Sequence, residues 1–160
     1  MSFILPEGAR QFFGIKNARA FAATEKGSMR FLMFDAFCCC LLLGLDRRQH
    51  GDADQLEGKT FIETYPDSHK SQAEIIAGLL VDAELVRKGI ASTDAKSIEK
   101  EMVNLLDLTS PTRLSGNGNE LLNLYAASGF QRLRSAVPTP DTLEDFLLEY
   151  SKLWQDEPDA

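Results

Sequence analysis

The sequence has few of the side chains on which most catalytic and metal sites depend. Its 160 residues include two histidines, one tryptophan and three cysteines, and the cysteines are consecutive. Neighbouring side chains on a helix point about 100° apart, so Cys38, Cys39 and Cys40 cannot converge on one metal or form an ordinary disulfide. His50 and His69 stand at no recognised ligand spacing. We therefore expect buried free thiols, no metal, no cofactor and a cytoplasmic location.

Long hydrophobic runs are also missing. The longest, Phe31 to Leu45, includes Asp35 and Gly44, and it falls short of the roughly 20 residues that a membrane-crossing helix needs. No secretory signal is visible. We expect no membrane association, and the run predicts a central buried helix near residues 29–43, capped by Ser28 and ended by Gly44.

Strand patterns are scarce too. No run alternates apolar and polar residues for long, and β-branched residues are few. The length and the 44% hydrophobic content fit an ordinary globular domain. We predict an all-α fold: one domain over residues 1–160, a compact orthogonal or irregular bundle of about six or seven helices.

Helix boundaries are clearly marked in this sequence. A short helix is expected from Pro6 to Phe13 and another from about Lys16 to Lys26. Later helices are predicted to begin at Pro66 or Ser71, at Thr93 or Asp94, and at Thr139 with Pro140. Helix ends are predicted at Gly89, followed by Ile90, and at Gly129, followed by Phe130.

Two polar loops are the first places to look for function. The loop at 46–60 carries alternating acids, but a calcium loop counted from Asp52 would need a glycine where Glu57 stands. A solvated loop is the favoured interpretation. The loop at 109–119 contains Ser115 to Asn119, which could hold an anion at a helix start. We favour a capping role for Asn117 or Asn119, assisted by Glu120.

Asp35 is the one carboxylate inside the most apolar segment, where burial could raise its pKa. On a helical wheel it shares a narrow polar stripe with Ser28, Cys39 and Asp46. We therefore favour a structural ion pair with a basic partner, or an exposed edge, over a catalytic acid.

These observations lead to three hypotheses, the first of which is favoured. The protein is a non-enzymatic helical interaction or adaptor subunit of a larger intracellular assembly, binding a protein partner or a second copy of itself. The second hypothesis is an accessory nucleic-acid-binding protein, although the net charge of −7 disfavours it. It would use one patch formed by Arg47, Arg48, Arg113, Arg132 and Arg134. The third is a small enzyme with a carboxylate site at Asp35 or in the 46–57 loop.

Overall fold

Helices make up most of the fold. The computed structural model describes residues 3–22 and 31–155, and most of these are helical. Six α-helices follow one another along these ranges: α1 (Ala9–Phe12), α2 (Met33–Arg47), α3 (Ala73–Arg87), α4 (Ala95–Leu105), α5 (Gly116–Ala136) and α6 (Leu143–Gln155). Two short 3-10 turns lie at Ala53–Gln55 and Asp67–Gln72. The prediction of a mainly helical fold is confirmed.

The prediction of a purely α-helical fold is wrong, because two strands form a small antiparallel sheet. Strand β1 (Phe3–Pro6) pairs with strand β2 (Leu56–Ile62), with Phe3 opposite Ile62. The backbone N–H of Ile4 also donates to Asn123 Oδ1 of α5 over 3.0 Å. Each strand forms its hydrogen bonds with a segment about fifty residues away. Neither strand therefore has to show a local alternation of apolar and polar residues.

The N-terminal segment departs furthest from its predicted helices. Strand β1 takes the residues up to Pro6, and the helix that follows is only Ala9–Phe12. Residues 16–22 are not helical: Lys16 bridges to Arg19, and Ala18 has φ 65°. The remainder of the helix predicted at 16–26 lies outside the described residues, as do Gly27 and the predicted cap Ser28.

Helix α2 is buried along most of its length, as its apolar sequence predicts. Its bounds differ from the prediction, because it begins at Met33 and continues through Gly44 to Arg47. The left-handed residue that ends it is Arg48, with φ 53°. The predicted residues 29 and 30 are not described.

Helices α2 and α5 cross at very close range, and glycine makes this contact possible. A Cβ on Gly44 would overlap the Tyr125 carbonyl oxygen, and one on Gly129 would overlap the Cys40 carbonyl oxygen. Both glycines were predicted to end helices. That prediction is wrong, because both lie inside helices and allow the two backbones to touch.

Other helix boundaries are local and follow their predicted signals. Gly89 has φ +67°, and the N–H of Ile90 donates to Leu85 O over 2.9 Å, which is a Schellman ending. Asp94 accepts the Ser97 N–H over 3.2 Å at the start of α4. Both predictions are confirmed.

Three starts are displaced from their predicted positions. The cap of α5 is Ser115, whose Oγ accepts the Gly118 N–H over 3.0 Å, and not Asn117 or Asn119. Helix α6 begins after Thr142, whose Oγ1 accepts the Asp145 N–H over 3.1 Å, three residues beyond the predicted Thr139. The segment after Pro66 is the 3-10 turn at 67–72, and α3 follows it.

The core lies between these elements and is dominated by phenylalanine. The Phe13 ring lies 5.2 Å from that of Phe146, and the Phe3 ring lies 5.3 Å from that of Phe34. Burial of each such side chain contributes about 1.5–3 kcal/mol. The core therefore joins the N-terminal segment to α2 and α6.

None of the helices within 3–22 and 31–155 combines the length and the apolar character that a bilayer crossing requires.

Candidate functional site

The three consecutive cysteines are free thiols on α2. Cys40 is fully buried, and Cys38 and Cys39 are partly buried. Burial and the Asp35 carboxylate raise the pKa of Cys39 to about 12, although a hydrogen bond with Tyr150 opposes them. Burial also raises the pKa of Cys38 and of Cys40. Thiols held in the protonated form are poor nucleophiles. We therefore interpret the three cysteines as side chains that pack in the core, and not as reactive groups.

We expect all three thiols to resist a disulfide-type thiol reagent at pH 8 in the native protein. Thiolate is the reactive form, and the raised pKa values leave very little of it. The reagent releases one coloured thiolate for each cysteine that it labels. This release should be slow in the native protein, and in guanidinium chloride it should reach three equivalents per chain. Rapid labelling of the native protein, with its circular dichroism spectrum unchanged, would contradict the burial of these side chains.

Asp35 has a histidine as its basic partner. Its Oδ1 lies 3.0 Å from His69 Nε2, and its Oδ2 accepts the Leu32 N–H over 2.8 Å at the start of α2. The other nitrogen of the imidazole, Nδ1, lies 2.9 Å from Ser68 Oγ. The result is a serine–histidine–aspartate chain between α2 and the turn before α3.

The series Ser68–His69–Asp35 has the residue types of a nucleophilic site, but its contacts are those of a structural site. His69 is almost fully buried, and its ring packs against Phe34 at 4.8 Å between centroids. Asp35 uses its second oxygen to cap the helix. We interpret the chain as a clamp that fixes the 67–72 turn to α2, in line with the structural role expected for Asp35.

A buried carboxylate that the sequence does not single out lies at the centre of a polar network. The Glu84 side chain on α3 is fully buried, and its Oε2 accepts Tyr125 O–H over 2.6 Å and Arg87 Nε–H over 2.8 Å. His50 Nε2 lies 2.9 Å from the same oxygen. Three separate segments therefore meet at one carboxylate.

The partners keep Glu84 ionised. Burial alone would raise its pKa, but the hydrogen bonds from Arg87, Tyr125 and His50 outweigh that effect and lower the pKa to about 2. Because a carboxylate only accepts, His50 Nε2 must donate its proton to Glu84. The only sequence signal for this network is the i, i+3 spacing of Glu84 and Arg87.

The exposed side of His50 opens into a cleft between the end of α2 and the second half of α5. The cleft has a volume of about 420 Å³, and its lining includes His50, Arg47 and Arg132. We call it the arginine cleft. The adjoining loop lies tightly on α5, because the Gly51 N–H donates to Leu124 O over 2.8 Å. A Cβ on Gly51 would lie 2.8 Å from the Ser128 nitrogen, so glycine permits this approach.

The five arginines proposed as one nucleic-acid patch have different surroundings. Arg47 and Arg132 share the arginine cleft. Arg48 faces Asp82, with Nη2 3.6 Å from Oδ2. Arg113 donates to Leu108 O over 2.8 Å, and the Arg134 guanidinium lies 5.0 Å from the centre of the Phe130 ring. The structure brings two of the five together in one cleft.

The acidic segment at 46–60 contains no buried residue, as expected for a solvated loop, but it is not a loop along its whole length. It contains the 3-10 turn at 53–55 and most of β2, and Glu57 pairs with Arg10 at 2.8 Å. Across the described ranges, no three histidine, cysteine or acidic side chains are arranged to hold a metal ion. Of the acids in this loop, Asp52 is the one that lines the arginine cleft.

A second surface feature is apolar. The end of α4 and the following residues surround a hollow of about 540 Å³, which is lined by Glu99, Met102, Val103, Leu106, Asp107 and Leu108. We call it the α4 hollow. Val103 and Leu108 are 75% and 77% exposed, more than any other large apolar residue in the described part of the chain.

Comparison with known proteins identifies no relative: no family model matches the chain, and neither the curated proteins nor the solved structures include a significant match.

Proposed function

We propose that this protein is a non-enzymatic interaction or adaptor subunit that binds a partner protein at the α4 hollow. The observation that carries the proposal is the exposure of three large apolar side chains, Met102, Val103 and Leu108, in one short segment that lines the hollow. Single exposed apolar residues are normal on protein surfaces, but adjacent ones that form a concave site are typical of binding grooves.

The apolar side chains of the hollow supply part of the free energy that specific binding requires. Complete burial of one valine, leucine or methionine side chain contributes about 1.5–3 kcal/mol. Burial of this site by a partner would therefore contribute several kcal/mol to the free energy of binding. A micromolar complex requires roughly −8 kcal/mol after the entropy lost on association has been offset. A partner therefore needs additional contacts at the edge of the hollow.

The charges at the edge indicate the chemistry of that partner. Glu99 and Asp107 are the charged residues that line the hollow. Asp107 accepts the Thr109 N–H and O–H, and these bonds lower its pKa, so it stays ionised at neutral pH. A partner segment with an apolar anchor flanked by lysine or arginine would be complementary both to this edge and to the net charge of −7.

The enzyme hypothesis has less support in the geometry. It requires a pocket lined by at least two of the proposed carboxylates. The arginine cleft borders the acidic loop and contains Asp52 alone among them. Asp35 is occupied by His69 and by the Leu32 N–H.

The proposal predicts that a doubly substituted hollow, Val103→Ser with Leu108→Ser, loses a partner that the unchanged protein retains. The measurement is cross-linking in native extract followed by mass spectrometry, and then titration of the purified partner. Removal of two anchors should weaken the purified complex by roughly a hundredfold. Cross-links should place a basic and apolar partner segment at residues 99–108.

The matched control is Leu148→Ser, because Leu148 is 63% exposed on α6 and does not line the α4 hollow. It should bind like the unchanged protein. Equal loss in the control, or a partner unaffected by the double substitution, would overturn the proposal. A concentration-dependent dimer lost only in the double variant would identify the partner as a second copy of this chain.

A further inference from the structure

We propose that the arginine cleft is a binding site for a small phosphorylated ligand, separate from the α4 hollow and independent of the function proposed above. Two arginines, Arg47 and Arg132, line the same concave volume of about 420 Å³ as His50. A volume of this size suits a small molecule.

The cationic groups are available in the part of the chain that the structure describes. Neither Arg47 nor Arg132 forms an ion pair with another described residue, in contrast to Arg48 with Asp82 or Arg87 with Glu84. A guanidinium group presents paired N–H donors that match two oxygens of a phosphate. Two such groups in one cleft can bind a dianion from two sides.

The buried network behind the cleft holds His50 in place. Its Nε2 is bonded to Glu84 at 2.9 Å, and its ring meets the Tyr125 ring edge to face at 4.7 Å. A ligand in the cleft therefore meets an imidazole whose orientation is fixed before binding. Such preorganisation reduces the entropy that is lost when a ligand binds.

Neutral polar groups complete the lining. The amide side chains of Gln49 and Gln131 and the hydroxyl group of Ser128 border the same cleft, and Asp52 is the one carboxylate among its lining residues in the described ranges. Two arginines against one aspartate leave a local positive charge on a protein whose net charge is −7. A local field of this sign attracts a small anion but does not extend far enough to hold a long polyanion.

The test is a titration with inorganic phosphate, followed by two-dimensional NMR at constant ionic strength with chloride as the balancing anion. We expect saturable shifts for the side-chain N–H signals of Arg47 and Arg132 and for the backbone of residues 47–55. Arg132→Gln and, separately, Arg47→Gln should each weaken binding by roughly tenfold or more, since each removes a charge-assisted contact.

The matched control is Arg48→Gln, which removes the same charge at the next residue but outside the cleft. It should change the affinity by less than about twofold, because exposed charges at a distance are screened. Thermal unfolding of each variant checks the fold. Should Arg132→Gln destabilise the protein, the exposed Arg47 supplies the decisive variant.

Adenosine monophosphate and phosphoserine, titrated in parallel, identify what the phosphate is attached to. Tighter binding of either one than of inorganic phosphate would support the site and name its ligand class. No saturable phosphate binding, or equal weakening by Arg48→Gln, would overturn the proposal. So would anion binding that appears only with an oligonucleotide and depends on Arg113 and Arg134.

Discussion

Gly129→Ala is expected to lower the free energy of unfolding by more than about 4 kcal/mol, and to leave little folded protein if the starting stability is ordinary. A Cβ at this position would overlap the Cys40 carbonyl oxygen and lie 2.8 Å from the Gly44 nitrogen. Both obstacles are backbone atoms within α2, so no side chain can move aside. Helices α2 and α5 would have to separate, and the core on both sides would lose its packing.

The measurement is urea unfolding, followed by circular dichroism, with Gly78→Ala as the control. Gly78 lies on the exposed face of α3, and a Cβ there would meet nothing within 4 Å. Alanine is a better helix former than glycine by about 1 kcal/mol, so this variant should be stabilised by up to that amount. The same substitution is thus expected to have opposite signs on two helices. A Gly129→Ala protein as stable as the unchanged one would refute the close crossing.

The second large effect is expected at the Glu84 carboxylate. Glu84→Gln should lower the free energy of unfolding at pH 7 by about 3 kcal/mol, because the Arg87 guanidinium and His50 lose the buried negative charge with which they pair. The Tyr125 hydroxyl group loses a charge-assisted acceptor at the same time. Tyr125→Phe removes one of these bonds and should cost about 1.5–3 kcal/mol.

The dependence on pH gives an independent test of the same carboxylate. Its pKa falls from an ordinary 4.5 to about 2 on folding, so the folded state favours the ionised form. The associated stability is complete above about pH 5 and is lost as the pH falls towards 2, a total of about 3 kcal/mol. The unchanged protein should therefore lose more stability over this interval than Glu84→Gln does.

The control for both measurements is Glu74→Gln, the same chemical change at an exposed position of the same helix. It should alter the stability by less than about 0.5 kcal/mol and leave the acid part of the pH profile unchanged. Identical pH profiles for the unchanged protein and Glu84→Gln would show that Glu84 is not held ionised by its neighbours.

Local signals in the sequence were sufficient to predict a helix boundary where all the interacting atoms belong to residues close together in the chain. The Asp94 cap and the Gly89 ending involve residues no more than five positions apart, and both were predicted. The burial of α2 was also predictable from the sequence, because a segment that is apolar on nearly all sides has to lie in an interior. The bulk of the helical fold follows from signals of this kind.

The same residue types were misread where the partner is distant in sequence. Gly44 and Gly129 resemble helix ends in every local respect, yet each faces the backbone of the other helix, more than eighty residues away. Strands β1 and β2 were missed for the same reason, since each depends on a distant partner for its hydrogen bonds.

The residues of the two proposed binding surfaces divide in the same way. The sequence identified Arg47 and Arg132 as candidate binding residues, but their sharing of a cleft with His50 depends on how α5 lies against the end of α2. Glu84 had no distinctive signal, because its partners His50 and Tyr125 approach from other segments.

By itself, the sequence determined that the protein is mainly helical, that α2 is interior, that the three thiols are free, and where several helices begin and end. These properties depend on composition and on contacts within a few residues. The tertiary structure decided the crossing of α2 and α5, the small sheet, the Glu84 network and the two surface sites. Each of these requires atoms from segments far apart in the chain, whose proximity is set by packing and not by any local preference.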